Sequence, residues 1–271
     1  MAYLIYCVFR TPEYLDLEFP PGVHDQPVIL VSCNGHSAAI STATRSELAI
    51  DLPIILSYGR VIESLHRDRT VIPIRFGCAV DEKEDVIRFL TNRHNQHEVL
   101  LRELFDCVEM GVRILIPDPT ESVPQSAIHD HGAPARFTPS DIMRAHPVAP
   151  GRAFLVARKV HYEREGRLTE EITTVFQDLR KALEGLFTKC KQEWPTSAVL
   201  TSPDRSLLIS FYFLVPRKSL DLFCQTFQHI YSTESTKILL SGPWPPYNFV
   251  LDDCLENPAQ LLSPKREKTA Q

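Results

Sequence analysis

The chain is short of glycine: 10 residues in 271, against 21 prolines. Its loops are therefore stiff, and phosphate-cradling turns have little material to form from. No GxGxxG, GxSxG or P-loop sequence occurs, which leaves nucleotide and serine-hydrolase chemistry without support. No basic run exceeds Lys265-Arg266, and 34 acidic against 29 basic side chains give a net charge of -5. The phosphate-neutralising surface that nucleic acid requires is missing. The seven cysteines, Cys7, Cys33, Cys78, Cys107, Cys190, Cys224 and Cys254, contain no CxxC pair. That pattern fits reduced thiols, not a disulfide framework or a zinc site. The apolar opening before Arg10 lacks a basic flank and is too short for a signal peptide or a membrane span, so a cytoplasmic protein without membrane insertion is expected.

What is present is an ordinary globular composition, 44% hydrophobic and 23% charged, in a length that favours two domains. Residues 3–9 and 28–33 are rich in β-branched and aromatic side chains, and Asn34-Gly35 is a hairpin turn leading into 38–42. Apolar residues at helical spacing then run from Asp51 to Arg67. Residues 70–80 return to strand character. A capping box at Asp81/Glu84 opens a helix whose stripe runs through Val86, Leu90, Leu101, Leu104, Phe105 and Val108, with Gly111 as its stop. Residues 112–116 read as a strand closing this first unit.

From Pro117 to Pro150 seven prolines interrupt a polar stretch without periodicity, read here as a linker. Residues 151–162 are ambiguous between strand and helix. An amphipathic helix follows from about Thr169 to Lys191, then a short strand at 197–201 and a continuously apolar strand at 207–215. A helix at 220–230 and a strand at 237–241 complete the order. Helix, strand, strand, helix, strand is a ferredoxin-like unit without a clear first strand. The expected class is α+β, with an N-terminal domain at 1–116, the linker at 117–150 and a C-terminal domain with tail at 151–271.

No catalytic, cofactor-binding or metal-binding residue is assigned. His94 and His97 have a spacing that suits a metal, yet they extend the apolar stripe of Leu90 and Leu101, and a core or interface role is preferred. His129-Asp130-His131 lies in the linker, where nothing holds ligands in place. Arg75 reads as a lone cation paired with the acidic cluster at 81–85. The most unusual stretch is Gly242-Pro243-Trp244-Pro245-Pro246-Tyr247-Asn248-Phe249, a stiff backbone bracketed by aromatic rings. It suits a tail pinned across its own domain, and it also suits a surface for a partner's apolar side chains.

Together LLSGPWPPYNFV at 239–250, TVIPIRFGCAV at 70–80 with VIESLH before it, GVRILI at 111–116 and GRAFL at 151–155 resemble the gas vesicle protein L/F family. The chain carries Tyr58 where the family pattern has a histidine. The resemblance implies an accessory or minor structural protein of gas vesicle assembly, with a modified ferredoxin-like second domain carrying an extended tail. It implies no cofactor, and as partners the small hydrophobic shell protein and other gas vesicle accessory proteins. Trp244, Pro245, Pro246, Tyr247 and Phe249, with Arg75 and Phe76, are the candidate partner-binding residues. A scaffold linking accessory proteins, or a metal- or thiol-dependent enzyme, are the competing expectations.

Overall fold

Two antiparallel sheets organise the computed structural model, which describes residues 2–13, 18–44, 51–116, 170, 172–193, 207–231 and 237–250. The first is built from β1 (Ala2–Arg10), β2 (Ile29–Cys33), β3 (His36–Ala43), β4 (Ile72–Pro73) and β5 (Ala79–Val80). Its order is β2-β3-β1-β4, with β5 also on β1. Asn34 and Gly35 both have positive φ, as the expected two-residue hairpin requires. A bulge in β1 between Ile5 and Cys7 turns both Tyr6 and Cys7 toward the same face.

That face packs on α1 (Leu52–His66), through Tyr58, Val61, Ile62 and Leu65. The opposite face, carrying Ile5, Val8, Val31 and Ile40, packs on α2 (Lys83–Asn92) and α3 (His94–Glu103). The single helix expected over this stretch breaks at Arg93, whose φ of -110° leaves the helical region. Its capping box is Glu82/Asp85, one residue beyond the expected pair. The expected strand at 70–80 is likewise split. Pro73 cannot donate to the ladder, and the backbone bulges away between β4 and β5.

Tyr58 closes that gap. Its hydroxyl lies 2.8 Å from the Ile5 carbonyl oxygen and 2.7 Å from that of Ile74, and its ring stacks on Tyr6 at 4.8 Å. The Tyr58 hydroxyl thus satisfies buried carbonyls where strand pairing is interrupted.

The second sheet is β7-β8-β6-β9, formed by β6 (Cys107–Ile116), β7 (Lys189–Glu193), β8 (Leu207–Pro216) and β9 (Lys237–Trp244). Residues 112–116, read above as closing the first unit, belong here: β6 pairs with β8 on one side and β9 on the other. Gly111 is not a helix stop. It sits inside β6, where a Cβ would come within 2.9 Å of Ser241 Oγ. One face of this sheet packs on α4 (172–182) and α5 (Leu220–Tyr231) through Met110, Phe211, Phe213, Leu179 and Phe223. The other face reaches the first core through Cys107 and Leu214. A single apolar cluster therefore joins the two sheets.

The helix expected to reach Lys191 ends earlier, and residues 189–193 form edge strand β7 instead. The expected strand at 197–201, the linker at 117–150, the ambiguous 151–162 and Cys254 lie outside the described residues.

Candidate functional site

β6 is apolar on the face toward α4 and α5 and carries Glu109 and Arg113 on the other. Glu109 is almost fully buried. A buried carboxylate needs donors, and the C-terminal segment supplies them. The Asn248 backbone N–H donates to Glu109 Oε2 at 2.7 Å, and Asn248 Nδ2 donates to Oε1 at 2.6 Å. Burial pushes the Glu109 carboxyl up from its ordinary value, while the Asn248 donors and the Lys191 charge pull it down.

The chain reaches this anchor through a backbone only glycine permits. Gly242 has φ +117° and a cis bond to Pro243, and a Cβ there would lie 2.7 Å from the Glu109 carbonyl oxygen. Residues 242–244 are still strand, so the stiff segment begins as the end of β9 and leaves the sheet only at Pro245. Two tight turns follow, closed by Tyr247 N–H to Pro245 O at 2.7 Å and Phe249 N–H to Pro246 O at 3.2 Å. Pro245, Pro246 and Phe249 are buried, and the Lys191 ammonium lies 5.9 Å from the Phe249 ring centroid. Trp244 and Tyr247 remain 42% and 38% exposed.

The five candidate residues of this segment thus divide into three that are buried and two, Trp244 and Tyr247, that stay partly exposed. Burial, followed by the charge of Glu63, raises the Tyr247 phenol. The Phe76 ring meets Tyr58 edge-on at 5.2 Å. Arg75 is exposed, and Asp85 takes Arg88 instead of pairing with it. Sequence reasoning missed Glu109 as the anchor. The alternation over 108–114, with Glu109 and Arg113 opposite the apolar Val108, Met110, Val112 and Ile114, carried that signal.

His94 and His97 gather with His36 of β3. His36 Nδ1 lies 3.1 Å from His94 Nδ1, and its Nε2 lies 3.0 Å from Glu98 Oε1 without good hydrogen-bond alignment. Glu98 also receives Arg10 at 2.7 Å. Burial lowers His97 to about 3, helped by the charges of His36, Arg93 and His94. Its ring packs edge-on against Phe89 at 5.3 Å, as a neutral core imidazole would. Among the described residues no group of three or more His, Cys, Asp or Glu side chains is placed to hold a metal ion. Burial likewise raises the Cys7, Cys107, Cys190 and Cys224 thiols, which removes thiolate character from each. No described helix is long and apolar enough to cross a membrane.

The sequence profile of the family described as "Gas vesicle synthesis protein GvpL/GvpF" matches residues 2–251. Gas vesicle protein L2 of Halobacterium salinarum is 22% identical over 268 residues, covering 94% of each chain. Gas vesicle protein F of a Streptomyces species is 23% identical over 253 residues, covering 92% of this chain and all of that one. The crystal structure of GvpF from Microcystis aeruginosa superposes with a TM-score of 0.67 at 18% identity, covering 92% of this chain and 99% of that one. The GvpF crystal structure from Anabaena gives 0.64 at 19% identity, covering 92% and 96%. The mixed helix and sheet architecture is the one seen in those structures.

Proposed function

Since this chain belongs to the gas vesicle synthesis protein GvpL/GvpF family, which gives it a gas vesicle role, we propose that it acts in the cytoplasm as an assembly factor binding the small hydrophobic shell protein. It works by contact and not by catalysis, and it needs no cofactor. Its binding surface is the outward side of the C-terminal segment, with Trp244 and Tyr247 as the apolar contacts and Arg75 and Phe76 at its margin. The observation that carries this reading is the rigidity of the segment. Trp244 and Tyr247 are held in place by buried Pro245, Pro246 and Phe249 and by the Asn248–Glu109 hydrogen bonds, so presenting them costs little entropy on binding.

Two domains serve this role in our reading, divided ahead of β6 and not after it. Among the described elements, the strand–helix–strand–strand–helix–strand order from β6 to β9, with spatial order β7-β8-β6-β9, supports assigning the second as ferredoxin-like, with β6 as the first strand that sequence reading lacked. A shell subunit that polymerises through apolar, strand-rich faces is shielded when a partner offers aromatic surface beside a sheet edge.

The test is vesicle yield from a strain in which this chain is replaced by Trp244→Ala or Tyr247→Ala. Yield should fall while the purified variants keep their melting temperature to within a few degrees. Full yield from both variants would remove the aromatic segment from the mechanism.

A further inference from the structure

On the side of the molecule formed by β1, the α1–β4 connection and the end of α3, a groove of about 490 Å³ runs between Phe9 and Phe105 and is rimmed by Arg10, Arg69 and Arg102. A smaller one of about 210 Å³ continues it past Arg67 toward Arg217. Phe105 stands at the junction of the two and is 73% exposed, the most exposed of the large apolar side chains among the described residues. The helical stripe that sequence analysis assigned it to ends at Leu104.

The exposure is built in. Asp106 follows Phe105 with φ +53°, a left-handed conformation that Asp tolerates at some cost. Three contacts hold it there: Asp106 N–H donates to Thr70 Oγ1 at 3.2 Å, Arg217 N–H donates to Asp106 O at 2.8 Å, and the Arg217 side chain faces the Asp106 carboxylate at 3.6 Å. The turn therefore keeps the Phe105 ring outside the core in a fixed place.

The charge around it runs against the sign of the whole chain. Arg10 is committed to Glu98 and Arg217 to Asp106, but among the described residues Arg67, Arg69 and Arg102 have no ion-pair partner. Arg69 lies over the Phe9 ring at 5.5 Å, and its Nε is buried without a hydrogen-bond acceptor. Asp68 is the one unengaged carboxylate on the groove. Three guanidinium groups without an ion pair, against the one carboxylate of Asp68, surround an exposed aromatic ring and an apolar floor of Phe9 and Leu101, and this excess of positive charge calls for a ligand with carboxylates on either side of an apolar side chain.

We propose that this groove is a docking site for an acidic, apolar-anchored peptide segment of a partner protein. It is separate from the Trp244–Phe249 surface, so it stands whether or not that surface binds the shell protein. The guanidinium groups provide bidentate carboxylate contacts, and Phe105 with the groove floor receives the apolar side chain between them.

The probe is a fluorescein-labelled peptide, Asp-Glu-Leu-Phe-Glu-Asp, with its amide counterpart Asn-Gln-Leu-Phe-Gln-Asn, titrated by fluorescence anisotropy against the intact chain at low and high salt. The acidic peptide should bind at low salt and weaken as salt rises, with the amide counterpart about tenfold weaker or worse. Phe105→Ala and Arg102→Glu should each weaken the acidic peptide by about tenfold while leaving the melting temperature unchanged, since both side chains are exposed. Equal binding of the two peptides, or wild-type affinity in both variants, overturns the proposal. So does a concentration-dependent dimer of the chain that Phe105→Ala dissolves, because the groove would then be occupied by a second copy.

Discussion

Acid should unfold this protein through two buried histidines, and the size of the effect follows from where they sit. His97 of α3 lies in the first core with its Nδ1 unpaired, and burial, with the neighbouring His36, Arg93 and His94, depresses it from 6.5 to about 3. His66 at the end of α1 is lowered from 6.5 to about 4, by burial first and by the Arg217 charge second. In both cases the unfolded chain takes up a proton at a pH where the folded chain refuses it. Their contribution to stability is therefore complete above 6.5 and is lost as pH falls, down to about 4 for His66 and about 3 for His97. Between about pH 7.5 and pH 5 each group should cost about 2 kcal/mol, against a typical total of about 5–15.

Glu109 works in the opposite sense. Its raised folded value means that protonation relieves a burial penalty as pH falls. Because that change lies nearer the carboxylate range, the histidines dominate down to about pH 5. The assay is urea denaturation at a series of pH values for the intact chain, for His97→Leu and for His66→Leu. Each variant should lose about 2 kcal/mol less than the parent over that interval. A parent whose unfolding midpoint is flat from about pH 7.5 to pH 5, or variants that keep the parent's slope, would refute the claim that these imidazoles are buried neutral.

The anchor of the C-terminal segment should be the costliest polar site to disturb. Asn248→Ala removes the side-chain donor to Glu109 Oε1 and leaves the buried carboxylate only the backbone N–H on Oε2, which should cost about 1–3 kcal/mol in chemical denaturation, with faster proteolysis after β9. Glu109→Gln keeps the size and one acceptor and should cost less. Gly242→Ala meets the Glu109 carbonyl at 2.7 Å and should fail to give a stable protein, whereas Gly77→Ala, with positive φ but nothing within 4 Å, should cost only about 1 kcal/mol by thermal melting. Tyr58→Phe removes the hydroxyl that reaches the Ile5 and Ile74 carbonyls and should lower stability by about 1–3 kcal/mol without changing the far-ultraviolet circular dichroism.

How much of this was legible follows from which signals are local. The β2–β3 hairpin announced itself through Asn34-Gly35, and α1 and α5 through their apolar spacing, because those are short-range properties of the chain. The 81–108 stretch misled because the apolar spacing ran on through Arg93 while the backbone did not, and because Gly111 looked like a helix stop. A glycine within a strand marks close approach of a neighbour, and that neighbour, Ser241, lies 130 residues away in sequence. β7 was hidden for the opposite reason: KCKQE is a charged edge strand, its one apolar side chain too little to set a period. Trp244 and Tyr247 stood out from the sequence because prolines and aromatics rarely alternate so densely. The alternation of β6 marks Glu109 as lying opposite the apolar face, but neither its bonds to Asn248 nor the meeting of Phe105 with its arginines could be read there. Both depend on segments that meet only in the fold.

The most direct test of the account is co-purification of the tagged chain with the small hydrophobic shell protein of the same vesicle system, expressed together and separately. Recovery of a soluble complex of fixed stoichiometry on co-expression, with the shell protein pelleting when expressed alone, is the result the account predicts. A shell protein that pellets equally in both cases, with none retained by the tagged chain, would contradict shell binding and favour a scaffold among the accessory proteins.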